Sequence, residues 1–223
     1  MKKQILLLFL LYSIVAFSQK KEMVDNFWKG NYDKTIEIGK QILQSEPNDF
    51  ETILLIARAE DEKGNFKNAI PYLESAKKMM SEDWQKSWAF IELAKNSFGT
   101  GKLDDAKLFY NEALKVKGTK NSEKELKKFG MLTGLDEYYK NWKIRETQNI
   151  IFHFENSINE NEIERITKTR QIAFEQINVF FNSKLPKKID FFVWNLNESY
   201  NQILNTNLGF SNPVFCISHT RLN

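Results

Sequence analysis

The 223-residue chain has one cysteine, Cys216, and two histidines, His153 and His219. A lone cysteine forms no internal disulfide, so folding does not rely on oxidation. Within Val214-Phe215-Cys216-Ile217 it reads as a small buried hydrophobe. No other histidine stands within four residues of either one, so the H-E-x-x-H pattern is missing. That pattern needs two histidines one helical turn apart, both aimed at one metal, with a glutamate base between them. The same scarcity argues against a conventional structural zinc site. Glycine-rich phosphate loops, serine nucleophile elbows and carboxylates clustered at a shared site are also missing. The net charge is only +3, and Lys and Glu alternate rather than cluster, so there is no nucleic-acid footprint. Long apolar runs are confined to Ile5–Phe17, which is too short to span a bilayer comfortably.

That run has the layout of a signal peptide. Lys2 and Lys3 form a basic start, and Ala16-Phe17-Ser18 offers small residues where a signal peptidase reads. Cleavage after Ser18 would leave Gln19 first and lower the formal charge by two, to near neutral. No cysteine sits near the cut, so a lipid anchor is not expected. The expected location is exported, either periplasmic or secreted.

Three segments then repeat. Lys29-Gly30-Asn31-Tyr32, Lys63-Gly64-Asn65-Phe66 and Thr100-Gly101-Lys102-Leu103 each open a helix-like run. Their glycines are spaced about 34 and 37 residues apart, as in a helix-turn-helix repeat. The glycine serves a cramped turn between helices. The large residue two positions on (Tyr32, Phe66, Leu103) fills the gap. The small residue three further on (Thr35, Ala69, Ala106) allows close approach, and Ala57 and Ala94 do the same in the preceding helices. Pro47 marks the end of one helix and the start of the next repeat. This pattern resembles the tetratricopeptide repeat (TPR) family over roughly residues 20–117. Thr35 and Gly39 depart from the usual residue types. A further helix over Ser122–Tyr139, with Leu126, Phe129, Leu132 and Leu135 at helical spacing, is expected to cap the stack.

The resemblance implies a concave face, lined by the first helix of each repeat, that binds a protein or peptide. Leu54, Arg58, Asp61, Trp88, Ile91 and Lys95 are the expected outward positions. Trp88 beside Arg58 and Lys95 could stack on an extended peptide and pair with carboxylates. The competing reading makes Trp88 packing and the charges merely solvated. The segments form no complete basic clamp.

From Trp142 the pattern changes. Thr147–Phe154 reads as a strand, Asn159–Phe181 as a long amphipathic helix, and Ile189–Trp194, opened by Pro186, as a second strand. In the helix Ile163, Ile166, Ile172, Ala173, Ile177 and Phe180 are expected to face inward. A short helix over Asn195–Leu204, a turn over Asn207–Pro213 and a strand over Val214–Ser218 complete a β-α-β-α-β order. Glu146–Phe154, Leu185–Trp194 and Gly209–His219 together resemble the N-terminal subdomain of gluzincin-type zinc metallopeptidases. In that family the zinc helix follows this subdomain, and an edge strand holds the substrate backbone. His153 reads as a strand residue facing solvent or a neighbour, without a nucleophile partner. His219 would border the supposed cleft.

The expected fold class is α + α/β, a TPR helical-hairpin solenoid followed by a small mixed α/β subdomain. The expected organisation is a signal peptide over 1–18, about three repeats over 19–118, a capping helix over 119–141 and the α/β part over 142–223. The expected function is an exported, non-catalytic protein-interaction module with a protein or peptide partner. No nucleic acid, membrane span or cofactor is expected. The alternative is the N-terminal part of a zinc metallopeptidase, with zinc entering only if the chain continues beyond Asn223.

Overall fold

The computed structural model describes residues 18–183 and 188–195, and the backbone of 215–220. The expected signal sequence up to Phe17, Pro186, the short helix from Leu196 on, the turn over Asn207–Pro213 and the side chains of Cys216 and His219 lie outside the described residues. The chain is helix-rich in its first part and carries a small mixed sheet in its second. It divides into two compact units, Met1–Thr100 with Asp104–Ser122, and Gly101–Leu103 with Glu123–Asn223.

The first unit is helical. Residues 18–28 form α1, followed by α2 (Tyr32–Ser45), α3 (Phe50–Glu62), α4 (Phe66–Met79), α5 (Asp83–Gly99) and α6 (Leu103–Leu114). α3 packs against α2, α4 and α5. The turns at Gly30, Gly64 and Gly101 share one left-handed backbone, with φ of 77°, 76° and 77°. Every predicted small position (Thr35, Ala57, Ala69, Ala94, Ala106) is fully buried. Gly39 has its own reason. A Cβ there would meet Ile56 Cγ1 at 2.6 Å and Met23 Cε at 2.7 Å, so α1, α2 and α3 can close only over a bare backbone. Asp49 caps α3 by accepting from the Thr52 N–H at 3.0 Å, and Lys20 on α1 reaches it at 2.9 Å. Burial opposes ionisation of Asp49, but the Thr52 and Lys20 bonds outweigh it and hold the carboxyl below its ordinary value.

The second unit holds a four-stranded sheet in the order β1-β2-β3-β4, made of β1 (Lys143–Glu146), β2 (Ile150–Phe154), β3 (Ile189–Trp194) and β4 (Phe215–Thr220). β2 and β3 are parallel and are joined through α8 (Glu160–Phe180), while β1 and β4 are antiparallel edges. β1 corrects the expected order, which began with one strand over Thr147–Phe154. Three of its four residues are charged, so hydrophobic alternation could not reveal it. Ile150, Phe152, Phe154 and Val193 face α8 through Ile163 and Ile166. On the opposite face Phe192 and Trp194 of β3 pack against Met131, Tyr139 and Trp142.

Two helix expectations are corrected. The helix expected over Ser122–Tyr139 is α7 (Lys120–Thr133), and it stops at Gly134, which has φ of 75°. Asp136 then caps a 3-10 turn over Glu137–Tyr139. The stop folds Tyr139 back, so that its hydroxyl donates to the Met131 carbonyl at 2.6 Å. In α8 only Ile163 and Ile166 of the expected inward set are buried. Ile172, Ile177 and Phe180 are exposed, the last at 82%. Length explains this. Twenty-one helical residues span about 30 Å, against about 17–20 Å for a strand of five or six. The second half of α8 therefore overhangs the sheet.

Gly134 gives a direct test. A Cβ there would strike the Phe192 ring, and its φ is unsuited to an L side chain. Gly134→Ala should lower unfolding stability by about 2–4 kcal/mol through backbone strain and overpacking. An unchanged urea midpoint would contradict this packing.

Candidate functional site

The residues with the most unusual electrostatics sit where α1, α3 and α5 meet in the first unit. Glu92, on α5, has a fully buried side chain. A buried carboxylate costs several kcal/mol unless cations offset it. Two do so here. Arg58 Nε lies 2.9 Å from Glu92 Oε1 and Lys95 Nζ lies 3.4 Å from Oε2. Arg58 and Lys95 each stand six residues before a left-handed turn glycine, Gly64 and Gly101. The approach of Arg58 is at ion-pair distance without hydrogen-bond geometry, so the attraction is Coulombic. Lys95 also lies 3.8 Å from Glu62.

The Arg58 guanidinium lies over two aromatic rings. Its carbon is 4.9 Å from the Phe27 ring centroid on α1 and 4.8 Å from that of Trp88 on α5. Such contacts attract the cation to the ring faces. Beyond Phe27 comes Trp28, edge-on at 5.4 Å and 73% exposed. One turn below Arg58, Asp61 accepts from the Asn96 amide at 2.7 Å, and the same amide donates to the Phe66 carbonyl at 2.9 Å. Burial pushes the Asp61 carboxyl up to about 7, with Asn96 opposing and Glu92 adding to the rise.

Of the expected partner-facing residues, the structure brings Arg58, Trp88 and Lys95 together. It does not bring Leu54 and Ile91 to the surface. Leu54 is 6% exposed within the Phe50-Ile53-Ala57 core, and Ile91 is 0% exposed. Their expected outward placement is corrected. α3 is covered by three neighbouring helices, so a wider arc of it is buried than one repeat period suggests. Trp88 is half-buried against the same core rather than free. The sequence reading missed Phe27, Trp28, Glu92 and Asn96. Glu92 left one signal, a charge inside Ile91-Glu92-Leu93-Ala94, where the neighbouring positions are apolar.

The second unit carries a smaller polar arrangement. His153 Nε2 and Asp190 Oδ1 are 2.8 Å apart, and the imidazole stacks on Phe192 at 4.3 Å. His153 thus faces a neighbour, one of the two placements expected for it. His219 holds the register position opposite Asp190. A groove of about 490 Å³ runs along α8 and is lined by Arg145, Thr147, Glu160, Ile163, Thr167 and Lys168. Arg145 and Glu160 close a 2.7 Å ion pair within it. Among the described residues, no three His, Cys, Asp or Glu side chains converge as metal ligands would.

Asp61 should make stability depend on pH. Its folded-state value is raised from 3.8 to about 7, so the fold favours the protonated form. That contribution is complete below about pH 4 and is lost as the pH rises through about 7. Asp61→Asn should flatten the decline. At pH 8 the variant should be more stable than wild type by about 1–3 kcal/mol, after discounting for partial exposure. Urea titrations at pH 4.5 and 8 would show parallel wild-type and variant behaviour if Asp61 were not strained.

Compared with known proteins, the chain matches no protein-family model and no curated protein.

Proposed function

We propose that this chain is an exported protein-interaction module, built from TPR-type repeats, that receives a protein or peptide partner on the side where α1, α3 and α5 present Trp28, Arg58 and Trp88. The observation that carries the reading is the contact of Arg58 with both Phe27 and Trp88, which ties α1, α3 and α5 together, with Trp28 exposed next to Phe27. Support for TPR-type repeats comes from the three left-handed glycine turns about one repeat apart and from α3 packing on α5, two helices along. The exposed Trp28 supports an interaction role, because a large aromatic held in water by a rigid neighbour is typical of binding surfaces. No helix among the described residues is long and apolar enough to cross a membrane. Export rests on the N-terminal sequence alone.

A second reading keeps the metallopeptidase resemblance. The pairing of Thr220 with Ile189 makes β4 leave the sheet at the end where α8 overhangs. The exposed Ile177, Phe180 and Phe181 on that overhang favour a further apolar element packing there. An H-E-x-x-H helix encoded downstream of Asn223 would support this reading, and its absence from the natural polypeptide would remove it.

Trp28 and Trp88 separate binding from packing. Trp28→Ala should leave stability within about 0.5 kcal/mol of wild type and weaken partner capture from the natural host's exported fraction. Trp88→Ala should cost about 2–4 kcal/mol, because the ring supports both the core and Arg58. Undiminished capture by a folded Trp28→Ala protein would count against this surface.

A further inference from the structure

We propose that the far end of α8 is a peripheral membrane anchor, which places Val179, Phe180 and Phe181 in the interface of an anionic lipid bilayer. This site is independent of the surface proposed for the first unit.

The end of α8 is closed by its own backbone. Asn182 takes a left-handed conformation with φ of 47°. The Asn182 N–H donates back to the Val179 carbonyl at 3.2 Å, and the Ser183 N–H to the Asn178 carbonyl at 2.9 Å. This pair of bonds stops a helix firmly, and an apolar contact commonly accompanies it. Here the contact is polar, Ser183 Oγ with Asn178 Oδ1 at 3.0 Å. The apolar residues of the last turn therefore gain no cover from the closing loop. Val179 and Phe180 are each 82% exposed and Phe181 is 69% exposed. The two phenyl rings meet each other edge to face at 5.0 Å.

The shape of this apolar surface decides between occupants. Ile177 and Phe181 continue the side of α8 that Ile163 and Ile166 bury against the sheet. At 3.6 residues per turn, Phe180 points about 60° away from Ile177 and Val179 about 160° away. Ile172 lies two turns before Val179 on that same far side and is also exposed. The apolar arc is therefore about 200° wide, twice the stripe of about 100° that a helix turns to a packed core. A protein element laid along the buried side would leave Val179 and Phe180 in water. A bilayer interface surrounds a projecting helix end and covers the whole arc, and it readily takes up Phe.

Charge selects the lipid. From Gln176 to Ile189 the sequence carries Lys184, Lys187 and Lys188 and no acid. Of these, Lys188 is engaged by Glu146 and the Thr147 carbonyl. Arg170 stands two turns before Ile177 on the same side of α8, is exposed, and enters no ion pair among the described residues. Glu175, the acid nearest in sequence, lies more than a turn before Phe180 and accepts from Gln171 at 2.6 Å. Basic residues flanking an exposed apolar end favour anionic headgroups over neutral ones.

The test is sedimentation with vesicles of phosphatidylglycerol and, separately, of phosphatidylcholine. The chain is used from Gln19 on, its expected mature start, because the apolar run Ile5–Phe17 would itself enter lipid. Binding to phosphatidylglycerol should be about tenfold tighter than to phosphatidylcholine, and added salt should narrow that gap. Phe180→Ser combined with Phe181→Ser should weaken binding at least about tenfold. Both rings are exposed, so the urea midpoint should stay unchanged. Val179→Ser alone should weaken binding about threefold and serves if the double variant does not fold. Absence of binding, equal binding to the two lipids, or undiminished binding by the folded variants would each overturn the proposal. A wild-type dimer that the double variant abolishes, with no vesicle binding, would assign this end of α8 to a second copy of the chain and overturn it as well.

Discussion

The buried carboxylate of Glu92 constrains more of the first unit than any other group. A charge with no exposure has to be met by cations, and those available are Arg58 on α3 and Lys95 on its own helix. Meeting that demand fixes the approach of α3 to α5. It also draws Arg58 inward between Phe27 and Trp88, so that α1 joins the same arrangement. Replacing such a pair with apolar groups is often neutral or stabilising, whereas removing one partner is costly. The ion pair therefore does not by itself account for stability. Its consequence is a guanidinium held largely out of solvent, close to the Phe27 and Trp88 rings.

The second unit is held by a different device. Its sheet is covered by α8 on one side and by an aromatic group on the other, where Tyr139, Trp142 and Trp194 meet edge to face at 4.7–6.0 Å. That group exists because Gly134 ends α7 and Asp136 starts a 3-10 turn, which returns Tyr139 beneath the sheet. The His153–Asp190 pair lies beside it, against Phe192. α8 is anchored to this sheet by Ile163 and Ile166, and its far half, longer than the strands it crosses, stays uncovered.

Local rules made much of the helical part legible in the sequence. Glycines at a fixed spacing, each followed by a large and then a small residue, carry their own geometric reason. Thr35, Ala69 and Ala106 are buried as that reason requires. What could not be read was decided by tertiary context. Helical spacing gives the side of a helix but not how many neighbours cover it, so Leu54 and Ile91 were assigned to a surface they do not reach. Spacing continued past Gly134, so one helix was expected where the left-handed glycine makes two. β1 was invisible because an edge strand of mostly charged residues has no apolar face. At the candidate site, Arg58, Trp88 and Lys95 could be identified by position. Glu92, which organises them, could not, since its partners come together only when α3 and α5 pack.

A double-mutant cycle between Arg58 and Glu92, read by urea denaturation, tests the central claim most directly. Arg58→Met and Glu92→Gln should each cost stability, and the double variant should recover part of it. The coupling should be at least about 1.5 kcal/mol. Additive effects would mean that Glu92 does not hold Arg58, and the account of the first unit would fail with it.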